Sequence, residues 1–246
     1  MKAAVVMPAR LASTRLPNKL LCDVCGKTVL QRAYENASRS KNASVVVIAC
    51  DDEALMENAR SFGGKAYMTS KDHQSGTDRI AELLPVIDAD IIINVQADEP
   101  LLDVSIIDML IDAMRKDTTA SMATAVIPIK DVQDAQNPNV VKVVLDNNDF
   151  AVYFSRAAIP FDRDATVGVP FYKHFGIYGY RKEFLRGYKS MPASYLEKFE
   201  KLEQLRAISN GHKIKVIRAE IDSVGVDTQS DLDRVREIVA KRGING

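Results

Sequence analysis

Three cations and two acids in this chain have the types and settings to hold a polyphosphate and a divalent ion. Arg10, Arg15 and Lys19 lie in Pro8-Ala9-Arg10-Leu11-Ala12-Ser13-Thr14-Arg15-Leu16-Pro17-Asn18-Lys19, directly after the apolar run Ala3 to Met7. A strand that opens into a loop of small residues aims backbone N–H groups at one point, and cations beside them complete an anion site. The loop has neither the glycine fingerprint of dinucleotide folds nor that of P-loops. A solvated basic loop after an edge strand is the competing reading. Asp98 follows the apolar run Ile91-Ile92-Ile93 within Asn94-Val95-Gln96-Ala97-Asp98-Glu99-Pro100, and Asp227 closes Ser223-Val224-Gly225-Val226-Asp227. A carboxylate delivered by a buried strand is costly without a partner, and a cation offsets that cost. Magnesium suits such a pair, since it takes one or two carboxylates and fills its shell with phosphates and water. Each acid also fits a plainer role, a turn or N-cap at Asp98 and a neighbour of the capping Thr228 at Asp227. A fourth polar stretch, His73-Gln74-Ser75-Gly76-Thr77-Asp78-Arg79, offers hydrogen bonds to a base or sugar, or else caps the helix that follows it.

The elements that must position these residues alternate. Val45 to Ala49 and Ile91 to Val95 are continuous apolar runs, as strands buried on both faces require. Between them Leu30, Ala33, Tyr34 and Ala37 mark a helix over 29–38, and 52–60 reads as another, stopped at Phe62-Gly63-Gly64. This is the pattern of a parallel sheet with crossover helices, whose ligands sit beyond the carboxyl ends of the strands. The second half changes character: strands over 121–129 and 140–145 precede the turn Asn147-Asn148-Asp149 and a hairpin partner ending at Ser155. Leu196, Phe199, Leu202, Leu205 and Ile208 predict one helix before Gly211, 213–221 a strand, and Thr228 to Asp231 a capping box opening the last helix. Residues 162–170 are expected to form a mobile loop, a candidate lid.

Composition excludes several classes. Lys and Arg total 33 and Asp and Glu 33, so nothing in the net charge favours wrapping nucleic acid or lying on anionic lipid. No apolar run approaches the roughly 18 residues of a membrane span, and the N-terminus does not read as a signal peptide, so a cytoplasmic protein is expected. Cys22, Cys25 and Cys50 are the three cysteines. Cys22-Asp23-Val24-Cys25 lacks the further ligands of a zinc site and the helix of a redox pair, leaving ordinary thiols in a partly buried hairpin.

Taken in order, the opening loop, His73 to Arg79, Asn94 to Pro100, Tyr153-Phe154-Ser155-Arg156, His174 to Tyr180, Leu202-Glu203-Gln204-Leu205-Arg206 and Gly225-Val226-Asp227-Thr228 resemble the 3-deoxy-manno-octulosonate cytidylyltransferase family across nearly the whole chain. The resemblance implies an α/β fold, a Rossmann-like, mostly parallel sheet flanked by helices of the nucleotide-diphospho-sugar transferase type, with a β-rich excursion in the second half. It implies one nucleotidyltransferase domain over 1–246, with 140–190 as a β-rich substrate and dimerisation region, working as a homodimer. The implied reaction moves CMP from CTP to the anomeric hydroxyl of the acidic eight-carbon sugar Kdo and releases pyrophosphate, in lipopolysaccharide precursor synthesis.

By the same resemblance Ala9, Arg10, Lys19, Ser75, Gly76 and Thr77 would bind the nucleotide, and Asp98 and Asp227 would hold one or two magnesium ions. Lys19, Arg10, Asp98 and Asp227 would be the catalytic set. Arg79, Gln96, His174, Tyr178, Glu203 and Gln204 would line the sugar site, Arg79 facing its carboxylate. For His174 a sugar-hydroxyl contact is preferred over a general base. The family's usual glycine before the loop lysine is here Asn18, its proline after it Leu20, and its glycine before the acid Ala97; Asn18 is the mildest change, and the methyl group of Ala97 is the one that bears on sugar placement. The alternatives are the same reaction on an 8-amino analogue of Kdo or a sialic acid, a sensor that binds CTP without turnover and, more distantly, a nucleic-acid binder.

Overall fold

The computed structural model describes residues 1–163 and 170–243. In chain order the elements are β1 Ala3–Ala9, β2 Asp23–Val24, β3 Lys27–Thr28, α1 Val29–Ala37, β4 Val45–Cys50, α2 Glu53–Ser61, β5 Ala66–Met68, α3 Gly76–Glu82, β6 Ile91–Asn94 and α4 Val104–Lys116. They continue as β7 Met122–Pro128, α5 Val132–Gln136, β8 Lys142–Leu145, β9 Ala151–Ser155, β10 Tyr172–Arg181, α6 Lys182–Tyr188, α7 Tyr195–Glu200, α8 Leu205–Ser209, β11 Ile214–Arg218 and α9 Gln229–Lys241. The fold is the expected α/β class, and the chain divides into two compact units, Met1–Ile111 with Ser223–Gly246, and Asp112–Asp222.

In the first unit the strands run β6-β1-β4-β5, every pair parallel, with Val5 opposite both Val46 and Ile93. β1, β4 and β6 are buried almost throughout, which is why they read as unbroken apolar runs rather than alternating ones. Their helices start where the sequence places a side-chain oxygen: Thr28 accepts from Gln31 N–H, Asp52 from Ala54 N–H and Ser75 from Asp78 N–H. Thr228 and Asp231 form the reciprocal capping box of α9, satisfying N–H groups that the first helical turn leaves unpaired. Gly63, at φ 72, ends α2. The cysteine hairpin forms as β2 and β3, turned by Cys25 and Gly26 at φ 51 and 84.

The second unit is the β-rich one. β7 pairs parallel with β11 and antiparallel with β10, whose register shifts between Phe175 and Tyr178. β8 and β9 form the expected hairpin, with Asp149 left-handed at φ 57 in its turn.

One element differs from expectation. The helix anticipated from Leu196 to Ile208 is two short helices, α7 and α8, separated at Lys201 with φ 54. The end of β9 competes for the helix terminus: the Glu200 carbonyl accepts from Arg156 Nε at 2.8 Å, and its carboxylate accepts from Ser155 Oγ at 2.6 Å and Arg156 N–H at 2.9 Å. Phe199, read as part of the apolar stripe, is 82% exposed. Of the segment proposed as a lid, residues 164–169 lie outside the described residues.

Candidate active site

The loop after β1 and the two strand-end acids meet in the first unit. Asn18 takes the left-handed conformation, φ 53, immediately before the single turn Lys19–Leu21, a backbone state asparagine tolerates better than most residues. The Lys19 ammonium lies 2.5 Å from Asp98 Oδ2 and 2.8 Å from Asp227 Oδ1, and Arg15 Nη2 lies 2.8 Å from Asp227 Oδ2. Arg10, Arg15, Lys19, Gln96, Asp98 and Asp227 are among the residues lining a cleft of about 310 Å³. Burial alone would lower the Lys19 pKa, but the two carboxylates outweigh it and the net shift is upward, so the side chain is a fixed cation.

The acids are brought together by backbone. Val226 N–H donates to the Asp98 carbonyl at 2.9 Å. A Cβ at Gly225 would stand 3.1 Å from Glu99 Oε1, so a glycine is what lets the two loops approach. Asp227 also keeps its plainer role, its N–H donating to Asp231 Oδ2 beside the capping Thr228. Ala97 lines the cleft and is not among the positive-φ residues, so the methyl group there sits on an unstrained backbone.

The two carboxylate oxygens that meet the Lys19 ammonium are both hard donors. Among the described residues no group of three or more His, Cys, Asp or Glu is placed to hold a metal. Two carboxylates are the kind of donor set that suits magnesium completed by phosphate and water.

The segment before and within α3 packs on the same loop. Arg10 Nη2 donates to the His73 carbonyl at 2.7 Å, and a Cβ at Gly76 would stand 3.1 Å from Pro8 Cγ. Thr77 and Ala9 are buried. Arg79 differs from its sequence reading. Its guanidinium, expected to face a substrate carboxylate, is 2% exposed and donates to Thr69 Oγ1 at 2.6 Å, the Ser70 carbonyl at 3.1 Å and Asp51 Oδ2 at 3.2 Å. Asp51 was missed, although it is the first residue beyond an apolar strand, the position that marked the other acids.

The remaining candidates lie in the second unit. Tyr178 O–H donates to Gln204 Oε1 at 3.2 Å. Gln204 is 3% exposed and its Nε2 has no hydrogen-bond partner among the described residues. Glu203 holds the Tyr188 hydroxyl through its carbonyl at 2.7 Å, and Arg206 forks onto Glu197 at 2.9 and 2.6 Å. Thr124 donates its only hydroxyl proton to the Ile177 carbonyl at 2.7 Å. The contact of 3.0 Å between Thr124 Oγ1 and His174 Nε2 must then be donated by the imidazole, which leaves Nδ1 as the acceptor. Burial pushes the His174 pKa down to about 3 and the Tyr178 pKa well up.

These features define a nucleotidyl-transfer class, and the comparisons agree: the family model described as Cytidylyltransferase matches residues 4–214. A 3-deoxy-manno-octulosonate cytidylyltransferase of Chloroherpeton thalassium is 47% identical over 98% of this chain and 99% of its own length. One of Solibacter usitatus is 45% identical over 95% of this chain and 92% of its own. A solved structure described as CMP:2-keto-3-deoxy-manno-octonic acid synthetase complexed with CTP superposes with a TM-score of 0.94 at 40% identity, over 98% of this chain and 100% of that one. The chain belongs to the 3-deoxy-manno-octulosonate cytidylyltransferase family.

Proposed function

We propose that the protein transfers CMP from CTP to the anomeric hydroxyl of Kdo, with release of pyrophosphate, for lipopolysaccharide synthesis. It does so with magnesium, as a cytoplasmic homodimer and as one nucleotidyltransferase domain. The observation that carries the reading is the convergence of Asp98 and Asp227 on Lys19 in a cleft also lined by Arg10 and Arg15, in a chain so similar to a CTP-bound synthetase. Among the described residues no helix is long and apolar enough to cross a membrane.

The acceptor oxygen attacks the α-phosphorus in line. A phosphorus–oxygen bond forms as the bond to the β-phosphate breaks, the hydroxyl proton passes to solvent, and pyrophosphate leaves. Arg10, Arg15 and Lys19 neutralise the triphosphate, while Ser75, Gly76 and Thr77 lie toward the cytidine. Asp98 and Asp227 would hold magnesium, whose charge would offset that of the phosphates and favour ionisation of the attacking hydroxyl. Gln96 lines the phosphate cleft of the first unit. In the second unit His174, Tyr178, Glu203 and Gln204 recognise the sugar; the Gln204 Nε2, open among the described residues, is the kind of donor that a ligand oxygen satisfies. His174 accepts a hydroxyl hydrogen bond at Nδ1 and is too weak a base to carry the proton away.

The test is pyrophosphate release by purified protein with CTP and magnesium, comparing Kdo, its 8-amino analogue and a sialic acid. Release with Kdo at the highest kcat/KM is expected. CTP binding without release on any acceptor would mark a sensor instead.

A further inference from the structure

We infer that Asp51 and Arg79 are positioning residues for the nucleotide, holding the phosphate loop against the segment that leads into α3, and that Arg79 does not touch the acceptor sugar. The inference rests on the cytidylyltransferase reading and assigns it two residues on the nucleotide side.

Asp51 is buried at the end of β4, with its two carboxylate oxygens turned to different tasks. Oδ1 accepts the backbone N–H of Leu11 at 2.9 Å, and Oδ2 accepts Arg79 Nη2 at 3.2 Å. Arg79 in turn donates to Thr69 Oγ1 and the Ser70 carbonyl, so one ion pair joins residue 11 of the loop to residues 69 and 70. A second tie runs beside it. Arg10 donates to the His73 carbonyl, the His73 ring meets the Glu82 carboxylate, and Glu82 accepts from Ser70 N–H. The loop is thus fastened at two consecutive residues, Arg10 and Leu11, to the chain just before Ser75, Gly76 and Thr77.

Both partners of the ion pair are more than nine-tenths buried at the side chain. A buried pair repays its desolvation only when its geometry is well satisfied, and removal of one partner leaves an uncompensated charge. Three N–H donors of Arg79 are taken up within the fold, and its side chain is 2% exposed. What the pair can do is fix where Arg10 stands relative to the cytidine end of the nucleotide. Misplacement of a binding group by about 1 Å is enough to lose up to a hundredfold in rate, so loosening this tie acts on CTP.

The experiment compares Asp51→Asn, Arg79→Lys and Thr69→Val with wild type. Thr69→Val removes one acceptor of Arg79 and leaves the ion pair in place, so it stands in should either charge variant fail to fold. CTP affinity is measured by calorimetry on the free protein with magnesium, and the KM for Kdo at saturating CTP. Asp51→Asn and Arg79→Lys are expected to weaken CTP at least tenfold, Thr69→Val two- to fivefold, each leaving the Kdo KM within twofold. A raised Kdo KM with unchanged CTP affinity in Arg79→Lys would place the guanidinium on the sugar and overturn the inference. Equal losses in both constants across the variants overturn it as well, since a generally damaged fold has no preference between substrates. Failure of the wild-type protein to bind CTP at all is a separate result, and it sinks the cytidylyltransferase reading itself.

Discussion

Replacing His174 by glutamine should make the protein's stability less sensitive to acid. The imidazole is packed edge-on to Phe154 at 5.0 Å between ring centres, lies 5.4 Å from Tyr178, and donates through Nε2 to Thr124. Burial lowers its pKa from the ordinary 6.5 to about 3. The folded state therefore keeps it neutral where the unfolded chain takes up a proton. Above pH 6.5 neither state is charged and there is no penalty. As pH falls from 6.5 toward 3 the unfolded state binds the extra proton, and stability drops with it. One pH unit is worth about 1.4 kcal/mol, so at pH 5.5 the residue costs about that much relative to pH 8. Glutamine keeps an N–H for Thr124 and does not titrate. Urea unfolding at pH 8 and pH 5.5 should show wild type losing about 1.4 kcal/mol more than His174→Gln over this interval, or about 3–6 °C in melting temperature for a chain of this size. Parallel losses in the two proteins would refute the argument, because the ring would then titrate normally in the fold. The same neutrality predicts that any acid limb in the pH–rate profile persists in His174→Gln.

Lys19→Ala should lower turnover about a hundredfold, roughly 3 kcal/mol of charge stabilisation; near-normal turnover would remove Lys19 from the phosphate site. Asp98→Asn should abolish magnesium-dependent turnover and, read by electron paramagnetic resonance, weaken manganese binding in the presence of CTP, whereas unchanged manganese binding would take Asp98 out of the metal site. Thr228→Ala breaks the capping box of α9 and should cost about 1 kcal/mol in chemical denaturation; no loss would show that Asp231 alone holds the helix start.

Much of the fold was legible because its signals are local. The apolar runs at Val45 and Ile91 announce strands buried on both faces, and Thr228 to Asp231 announce the last helix, since a capping box satisfies N–H groups within three residues of itself. The expected helix from Leu196 to Ile208 failed for the opposite reason. Its spacing is helical throughout, but Glu200 has partners at Ser155 and Arg156, more than forty residues away, and no window of sequence contains them. Arg79 shows the same limit: an arginine in a polar loop looks available to an anion, and no spacing reveals the Asp51 and Thr69 oxygens that the fold sets around it.

Residue order alone settled the class of fold, the cationic loop after the first strand and the acids at two later strand ends, because side-chain type and spacing determine which short segments pair, coil or turn. Only tertiary structure decided that Lys19 stands between Asp98 and Asp227, the latter 208 positions away, and that Asp51 spends its charge inside the protein. Which distant groups meet depends on how the strands register and where a glycine such as Gly225 lets loops close. An ion pair gains its strength only after that closure has excluded water from it.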